Sequence, residues 1–519
     1  MRAVLQLTLQ FHLDGQQVEA DDDGASLLEV LRDRLGVRSP KDGCSPQGQC
    51  GCCTVLVDGQ PRVACVTPAR RVRGRAVTTV DGLDSEARAG WGDAFCATGA
   101  SQCGFCTPGI IVRLEGLATK KPDASATEVE RALQAHLCRC TGWRTILDAW
   151  ECRDQPVSVA GRDLDAASRR AEIEGRTPQA VGPHVALGQG GFADDGAPGD
   201  ALVAVPTAHG EWVVAETLSD ARTSAGKIQG RRTTVDAEPP LELPGGDWAV
   251  TLRTSWVEPA YLETDASWCA PGGEPATPLA NGGAFGGKVA SIAPEVARRL
   301  ADEHGRTVRV VLSREDSVRL GPKRPPIAAG VTADGTGVIR VVRTPGIAGA
   351  IAQVAPELVV EEVDVAGPPT SAAIRGAGWA EAAALLAALR GDASVTAPDG
   401  GQASASVEGG SIRVQVRCGD PLDEVVLRSY CIGAAHMGLG LVTSEGLAVD
   451  EDGEVHDLTI RSFGVLRAVD TPPIEVAIDP TPGPAVNGSD AVFAAVVAAV
   501  WQHQGLPATW PTGQTVRDR

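Results

Sequence analysis

The first eighty residues alternate between apolar and polar positions in a way that predicts strands around one helix. Met1 to Leu13 alternate with a period of two, which is typical of a half-buried strand. Ser26 and Glu29 form a capping signal, and the leucine stripe that follows ends before Gly36. An apolar run ahead of Asp58-Gly59 predicts a further strand and a hairpin turn.

Helical patterns follow in the next stretch of the chain. Thr107 followed by Pro108 predicts a helix start with Thr107 as the cap, because proline at the first helical position loses no hydrogen bond. Thr127 and Glu130 predict a second capping box, ahead of another apolar stripe. These signals indicate a small helical domain.

The remaining two thirds mix helical and strand patterns. Residues 155–185 are polar and predict a connector that contains a short helix near Ala166–Glu174. Further on, Pro294 to His304 predict a helix that Gly305 ends, followed by a strand from Val308 to Leu312. The chain is therefore expected to be of the mixed α/β class.

The composition excludes several classes of function. The chain has 519 residues, of which 43% are hydrophobic, and a formal net charge of −19. Because no stretch collects enough lysine and arginine to follow a phosphate backbone, we expect no nucleic acid as a partner. The start of the chain lacks the charged segment and apolar run of a signal peptide, and no run approaches the ~20 apolar residues of a membrane span. We expect a cytoplasmic protein with no membrane partner.

Eight of the fourteen cysteines form two tight groups. Each group offers four thiolates, which is what a [2Fe–2S] cluster needs, two for each iron. The first group contains Cys44, Cys50, Cys53 and Cys65, and the second contains Cys103, Cys106, Cys138 and Cys140. Zinc is the alternative occupant, and Cys52 competes with Cys53 as a ligand.

The first group resembles the plant-type ferredoxin domain of the xanthine dehydrogenase and aldehyde oxidase family of molybdenum hydroxylases. Cys50-x-x-Cys53 and the eleven residues before Cys65 match the family spacing. Cys44 and Cys50 are separated by five residues, where the family has four. The resemblance implies a β-grasp fold around the first cluster, and it favours Cys53 over Cys52 as the ligand.

The second group resembles the helical cluster domain of the same family. Cys103-Gly-Phe-Cys106 and the distant Cys138-Arg-Cys140 carry the likeness. The resemblance implies a four-helix domain whose cluster lies nearest the molybdopterin, with Gln102 approaching the pterin. It also implies that the first cluster lies farther out, toward a flavin.

Residues from about 186 onward resemble the molybdenum-binding subunit of that family. The segment Asn281–Lys288 is similar to a loop near the pterin, and Arg375-Gly-Ala-Gly378 is similar to a turn beside the metal. The resemblance implies that four residues lie near a pterin: Gly283, Phe285, Gly286 and Arg375. Glycines that serve only tight turns are the alternative. A phosphate loop is not expected, because Val289 lacks the hydroxyl that would hold Mg²⁺.

Parts of the molybdenum-binding subunit are missing from this sequence. Between Arg390 and Val414 the chain passes almost directly from one matched segment to another, where the family has further pterin-contacting loops. The family also uses a glutamate near the C-terminus as general base, and the corresponding segment here contains only Asp490, which is shorter and displaced in register. We therefore expect no catalytic residue in this chain.

The expected protein is α/β (α+β) and consists of a ferredoxin-like β-grasp domain, a four-helix [2Fe–2S] domain and a reduced mixed α/β region. The expected divisions are 1–80, 81–155, a connector 156–185, a first-domain-like region 186–270 and a truncated molybdopterin-domain-like region 271–519. The expected function is the electron-transfer subunit of a xanthine dehydrogenase-type complex, with molybdopterin on a large partner subunit and FAD on another. The alternatives are a self-contained reduced hydroxylase and a non-enzymatic redox-sensing or assembly protein.

Overall fold

The computed structural model describes residues 8–155, 159, 161–226, 236–279 and 283–516. Strands β1–β18 are Thr8–Leu13, Gln16–Asp21, Thr54–Val57, Gln60–Val63, Ala76–Thr78, Leu202–Pro206, Trp212–Ala215, Val250–Thr254, Ala266–Cys269, Val308–Val311, Ile327–Val331, Gly337–Val342, Leu358–Val363, Ser394–Thr396, Gln402–Glu408, Ser411–Arg417, Ile474–Ile478 and Thr509–Trp510. Helices α1–α14 are Leu27–Glu29, Ser85–Thr98, Thr107–Ala118, Ala126–Ala132, Arg144–Cys152, Leu164–Gly175, Pro183–Ala186, Leu218–Ala225, Ala293–His304, Arg314–Leu320, Ile347–Val354, Trp379–Arg390, Glu424–Thr443 and Ser489–His503.

The first sheet is a β-grasp with the strand order β2-β1-β5-β3-β4. Alternate residues of β1 are buried, as the sequence pattern predicts, and the first seven residues of the predicted strand Met1–Leu13 lie outside the described residues. β1 and β5 are parallel, whereas the other neighbours are antiparallel. Ser26 caps α1 as predicted, and α1 continues as a π-helical turn, Val30–Arg34.

Helices α2 to α5 form the helical domain. Helix α4 begins with a capping box of Ser125 and Glu128, so the predicted box at Thr127 and Glu130 is wrong by two residues. Both the backbone N–H and the hydroxyl of Ser125 donate to the Glu128 carboxylate, at 3.0 and 2.9 Å. Glu130 instead pairs with Arg144 at 2.8 Å, which ties α4 to the start of α5.

Helix α3 starts one residue earlier than the sequence predicts. Cys106 is the cap residue, Thr107 is the first helical residue and Pro108 is the second. The reason is that Cys106 already has helical dihedral angles, with φ −82° and ψ −16°. The helix therefore begins directly at a cysteine of the second group.

The C-terminal region contains three more sheets, with the orders β7-β6-β10-β9, β13-β12-β11-β8-β18 and β14-β15-β16-β17. Helix α6 covers the predicted connector helix, and α9 ends at Gly305 with φ 63°, as predicted. The central helices α13 and α14 pack on each other and on the last sheet. Among the described residues, α13 alone is long and apolar enough to cross a membrane, but 89% of that stretch is buried inside the protein.

One contiguous set of buried apolar side chains runs through the whole chain, from Leu9 to Val516. It joins the β-grasp, the helical domain and the helices α12 to α14. Two small satellite cores lie on the two faces of the β7-β6-β10-β9 sheet. The cysteine-bearing domains are therefore packed against the C-terminal region rather than tethered to it.

Candidate iron–sulfur centres

The first four cysteines are brought together by the β3–β4 hairpin and the loop before it. Cys53 directly precedes β3, and Cys65 is the second residue after β4, in a 3₁₀ turn, Ala64–Val66. Since Thr54 and Val63 are paired across the hairpin, the two cysteines face each other, and the Cys65 N–H lies 3.4 Å from the Cys53 Sγ. All four cysteines of this set are no more than 5% exposed.

The loop that carries Cys44 and Cys50 turns its backbone toward the sulfurs. The Gln49 N–H donates to the Cys44 Sγ at 3.4 Å. Gly48 and Gly51 have φ values of 70° and 76°, in the left-handed region that glycine tolerates. Backbone donors aimed at sulfur stabilise the negative charge of a thiolate.

The sulfurs of the first set contact one another. Hydrogen bonds from the Cys50 and Cys65 thiols lower the pKa of Cys44 well below its ordinary value, and the same contact raises the pKa of Cys65. Among the described residues, no three His, Cys, Asp or Glu side chains converge as the ligands of one metal ion would. The four sulfurs are instead linked by contacts in the order Cys50, Cys44, Cys65 and Cys53, and four neighbouring thiols are the number of ligands that two bridged irons need.

The second four cysteines lie where α3 and α5 begin. Cys103 and Cys106 come from the loop before α3, and Cys138 and Cys140 from the loop before α5. The Cys140 and Cys103 sulfurs are 3.7 Å apart. A hydrogen bond from the Cys106 thiol lowers the pKa of Cys138 to about 6, against the effect of burial, and the Thr141 hydroxyl lies 3.1 Å from the Cys138 Sγ. The sulfurs of the second set form two pairs.

The two sets lie against each other through very close backbone contacts. A Cβ atom on Gly109 of α3 would lie 2.4 Å from the Gly51 carbonyl oxygen and 2.7 Å from that of Cys52. The Leu137 N–H also donates to the Cys50 carbonyl at 2.9 Å. Only glycine at position 109 allows this approach.

Cys52 lies between the two sets. The sequence pattern does not predict this position. Burial raises the pKa of its thiol, a hydrogen bond with Cys50 opposes this effect, and the nearby sulfurs of Cys44, Cys53 and Cys103 add to it. Cys52 therefore lies close enough to cysteines of both sets to interact with them electrostatically. Sequence spacing alone gives no signal for this position, because the second set is contributed by residues more than fifty positions away.

Gln102, expected to approach a pterin, is held by the protein itself. Its amide nitrogen donates to the Cys140 carbonyl at 2.9 Å and to the Ser429 hydroxyl of α13 at 3.0 Å. Ser429 in turn donates to the Gly99 carbonyl at the end of α2. Gln102 thus connects the second cysteine set to the central helix.

The four residues expected near a pterin do come together. The Arg375 N–H donates to the Phe285 carbonyl at 3.0 Å, and the guanidinium lies 4.3 Å from the centre of the Phe285 ring. Gly286 has a φ of 88°, and a Cβ there would lie 2.0 Å from the Ala373 carbonyl oxygen. Gly283 abuts the sulfurs of Cys103 and Cys140, while Asn281 and Gly282 of the same loop lie outside the described residues.

Arg375 is fully engaged with protein groups. Its guanidinium donates to the Asp490 carboxylate at 2.9 Å, to the Ser489 hydroxyl at 2.9 Å and to the Glu174 carbonyl at 3.3 Å. Asp490 also pairs with Arg176. Two arginines therefore neutralise the one carboxylate that the sequence offers near the position of the general base.

The volume around these residues is filled by buried ion pairs. Lys288 pairs with Glu263 at 2.7 Å, and Arg139, between two cysteines of the second set, forms a two-pronged pair with Glu445. The cavity beside Gly283 measures about 10 Å³ and the one beside Phe285 about 20 Å³. Each has room for about one water molecule, whereas ligand sites are on the order of 300–1,000 Å³.

The residues that the structure describes at this place, which exclude 280–282 of the adjoining loop, therefore do not fit a molybdopterin. Two larger surface grooves, of about 880 and 1070 Å³, have none of the five pterin-vicinity residues in their walls. In contrast, both cysteine sets fit a [2Fe–2S] cluster by the identity, burial and pairing of their sulfurs.

Comparison with known proteins gives two family matches, both in the cysteine-bearing part. Residues 11–77 match the "2Fe-2S iron-sulfur cluster binding domain" and residues 79–151 match the "[2Fe-2S] binding domain". The chain is 34% identical over 139 residues to the nicotinate dehydrogenase small FeS subunit of Eubacterium barkeri, covering 26% of this chain and 88% of that protein. It is 38% identical over 136 residues to a probable xanthine dehydrogenase subunit of Bacillus subtilis, covering 26% of this chain and 78% of that protein.

Longer relatives match the same part of the chain. The aldehyde oxidoreductase of Megalodesulfovibrio gigas is 42% identical over 132 residues, and the match spans 25% of this chain but only 14% of that protein. Among solved structures, an aldehyde oxidoreductase from Desulfovibrio desulfuricans superposes with a TM-score of 0.69 and 14% identity, covering 95% of this chain and 97% of that one. At that identity, the superposition establishes a shared fold and nothing about activity.

Proposed function

Because this chain belongs to the molybdenum hydroxylase family, whose members include xanthine dehydrogenases and aldehyde oxidoreductases, we propose that it passes electrons from a molybdopterin-binding large subunit to an FAD-binding subunit. The chain is an iron–sulfur electron-transfer component of an oxidoreductase, with two [2Fe–2S] binding domains. In this proposal the molybdopterin and the FAD belong to the partner subunits. All fourteen cysteines are free thiols, which accords with a cytoplasmic location.

Each cysteine set divides into two ligand pairs. A bound [2Fe–2S] cluster supplies reversible one-electron oxidation and reduction. In the first set, Cys53 and Cys65 face each other across the hairpin and would hold one iron, and the two loop cysteines would hold the other. In the second set, Cys103 and Cys140 form one pair and the remaining two cysteines form the other.

The chain's own groups tune these sites. Burial excludes water from the sulfurs, and hydrogen bonds to the sulfurs from the Gln49 and Cys65 N–H groups stabilise added negative charge. Such hydrogen bonds raise the reduction potential of an iron–sulfur cluster. The Thr141 hydroxyl can donate to Cys138 in the same way.

The proposal rests on the contact between the two cysteine sets. The cysteine loop of the first set and helix α3 of the second set touch at Gly51, Cys52 and Gly109. Two redox sites in contact through backbone atoms are suited to pass single electrons to each other. No substrate pocket is needed for that role. The 10 and 20 Å³ cavities, and the engagement of Arg375 and Asp490 with each other, argue against the self-contained hydroxylase.

Electron paramagnetic resonance of the chain purified without oxygen and reduced with dithionite tests this function. We expect two distinct signals, each from one unpaired electron, that together integrate to about two spins per chain. The oxidised sample is the control and should be silent. A single signal, or zinc in place of iron, would contradict the proposal.

A further inference from the structure

The first cysteine set has one side that comes close to the surface. Cys65 is the most exposed of its four cysteines, at 5%, and the next residue, Val66, is 55% exposed. Val66 packs on Gly48, in the loop between Cys44 and Cys50, where a Cβ atom on the glycine would lie 2.9 Å from the valine side chain. A single exposed valine thus covers the outer side of the first set.

The segment around this valine is strongly basic on an otherwise acidic protein. Residues 59–77 contain five arginines and no lysine, aspartate or glutamate, while the whole chain has a net charge of −19. Two of the five are neutralised, since Arg73 pairs with Asp22 at 2.8 Å and Arg75 pairs with Asp58 at 2.7 Å. The charge of the other three is therefore directed to solvent.

The three remaining arginines are Arg62, Arg70 and Arg71, all exposed. In the part of the chain that the structure describes, none of them has a carboxylate within ion-pair distance, and Arg62 donates only to the Pro61 carbonyl. Arg70 lies five residues after Cys65, so at most about 18 Å of extended chain separates them. We call Arg62, Val66, Arg70 and Arg71 the arginine face.

We propose that the arginine face is the docking surface for an acidic face of the electron-accepting protein, a deepening that rests on the function proposed above. The negative charge of the rest of the chain repels an acidic partner, whereas the arginine face attracts it, so the first cysteine set is turned toward the acceptor. The exposed apolar side chain of Val66, which stands between Arg62 and Arg70 in the sequence, gives the partner an apolar contact next to Cys65. Repulsion from the rest of the acidic surface and attraction to the arginine face together select the orientation in which the partner docks.

Stopped-flow oxidation of the dithionite-reduced chain by ferricyanide, an anion, tests this surface. One electron leaves the reduced first centre and converts ferricyanide to ferrocyanide, and no bond or proton changes. We expect the rate to fall as ionic strength rises from about 20 to about 200 mM. The variant Arg70→Glu/Arg71→Glu should oxidise about tenfold more slowly at low salt, and cytochrome c, a basic acceptor, should be reduced faster by that variant than by the unmodified chain.

Arg298→Glu/Arg299→Glu is the matched control, since both residues are exposed arginines on α9. It changes the net charge of the chain by the same amount as the first double variant, and it should leave both rates close to those of the unmodified chain. Equal rates for Arg70→Glu/Arg71→Glu and the unmodified chain, with both spectral signals intact, would overturn the proposal that the arginine face is a docking surface. The proposed electron-transfer function would not be affected by that result. A chain without two cluster signals would instead overturn the proposed function.

Discussion

At the scale of single residues, the pairing of Arg375 with Asp490 differs from what the resemblance to molybdenum-binding subunits implies for these positions. Arg375 lies beside Phe285, as the matched segments imply, but its guanidinium is bound by Asp490 and Ser489. Both members of the Arg375–Asp490 pair are buried. An arginine held in this way is a structural group, because its donors are directed at protein acceptors.

Asp490→Asn should destabilise the protein without altering its redox centres. Removing one partner of a buried ion pair leaves the arginine charge uncompensated, so we expect the free energy of unfolding to fall by about 3 kcal/mol. Denaturant unfolding measures this change, and both iron–sulfur spectra should be unaltered. Asp392→Asn, at an exposed ion pair, is the control and should be nearly neutral. Loss of electron transfer with unaltered stability would contradict this structural role and indicate that Asp490 acts as a general base.

Cys106→Ser should remove the second centre alone. Cys106 begins α3 and its sulfur contacts Cys138, so serine deprives one iron of a soft ligand while the first set is untouched. We expect one paramagnetic signal to disappear and the other to keep its shape. Cys96→Ser, at a buried cysteine of α2 outside both sets, should preserve the two signals. Two unchanged signals in Cys106→Ser would show that the second ligand set is wrongly assigned.

Glu263 should give the protein a pH-dependent stability. Burial raises the pKa of Glu263 to about 7, although Lys288 opposes the shift. The folded protein then binds more protons than the unfolded chain between pH ~4.5 and ~7, so stability falls as pH rises through that range. The difference in unfolding free energy between the unmodified chain and Glu263→Gln should change by up to about 3 kcal/mol between pH 5 and 8. A constant difference would contradict the assignment.

At the scale of elements, the contact between α3 and the first cysteine loop should be highly sensitive to substitution, because the two backbones are so close. Gly109→Ala places a methyl group 2.4 Å from the Gly51 carbonyl oxygen, so helix and loop must separate. We expect slower electron exchange between the two centres and a changed signal from the first. Gly349→Ala, at a helical glycine of α11 with open space around its Cβ position, should be neutral or slightly stabilising. Identical behaviour of the two variants would contradict the claim that this contact controls electron exchange between the two centres.

Local elements could be predicted from the sequence, and long-range contacts could not. The period-two pattern of β1 and the Ser26 cap depend on adjacent residues, and both were predictable. The capping box of α4 was missed by two residues, because Ser125 and Thr127 each have an acid three positions on. The pairs that fill the expected pterin volume join residues 306 and 115 positions apart, so no local pattern could reveal them.

At the scale of the whole molecule, buried and partly buried ion pairs join the C-terminal two thirds to the two cysteine domains. Asp194 bridges Arg32 of the β-grasp at 2.6 Å and Arg309 of β10 at 2.7 Å, and Arg139 joins the second cysteine loop to Glu445. A fold shared with aldehyde oxidoreductase is retained, and the space between its parts is packed with the chain's own side chains. This arrangement supports the proposal that the chain carries electrons for a separate catalytic subunit.

Metal analysis of the isolated chain, purified without oxygen from cells that make molybdopterin, tests this account most directly. We predict about four iron and four acid-labile sulfide per polypeptide, as two [2Fe–2S] clusters require, together with molybdenum at background level. Molybdenum near one atom per chain, retained through gel filtration, would contradict the account.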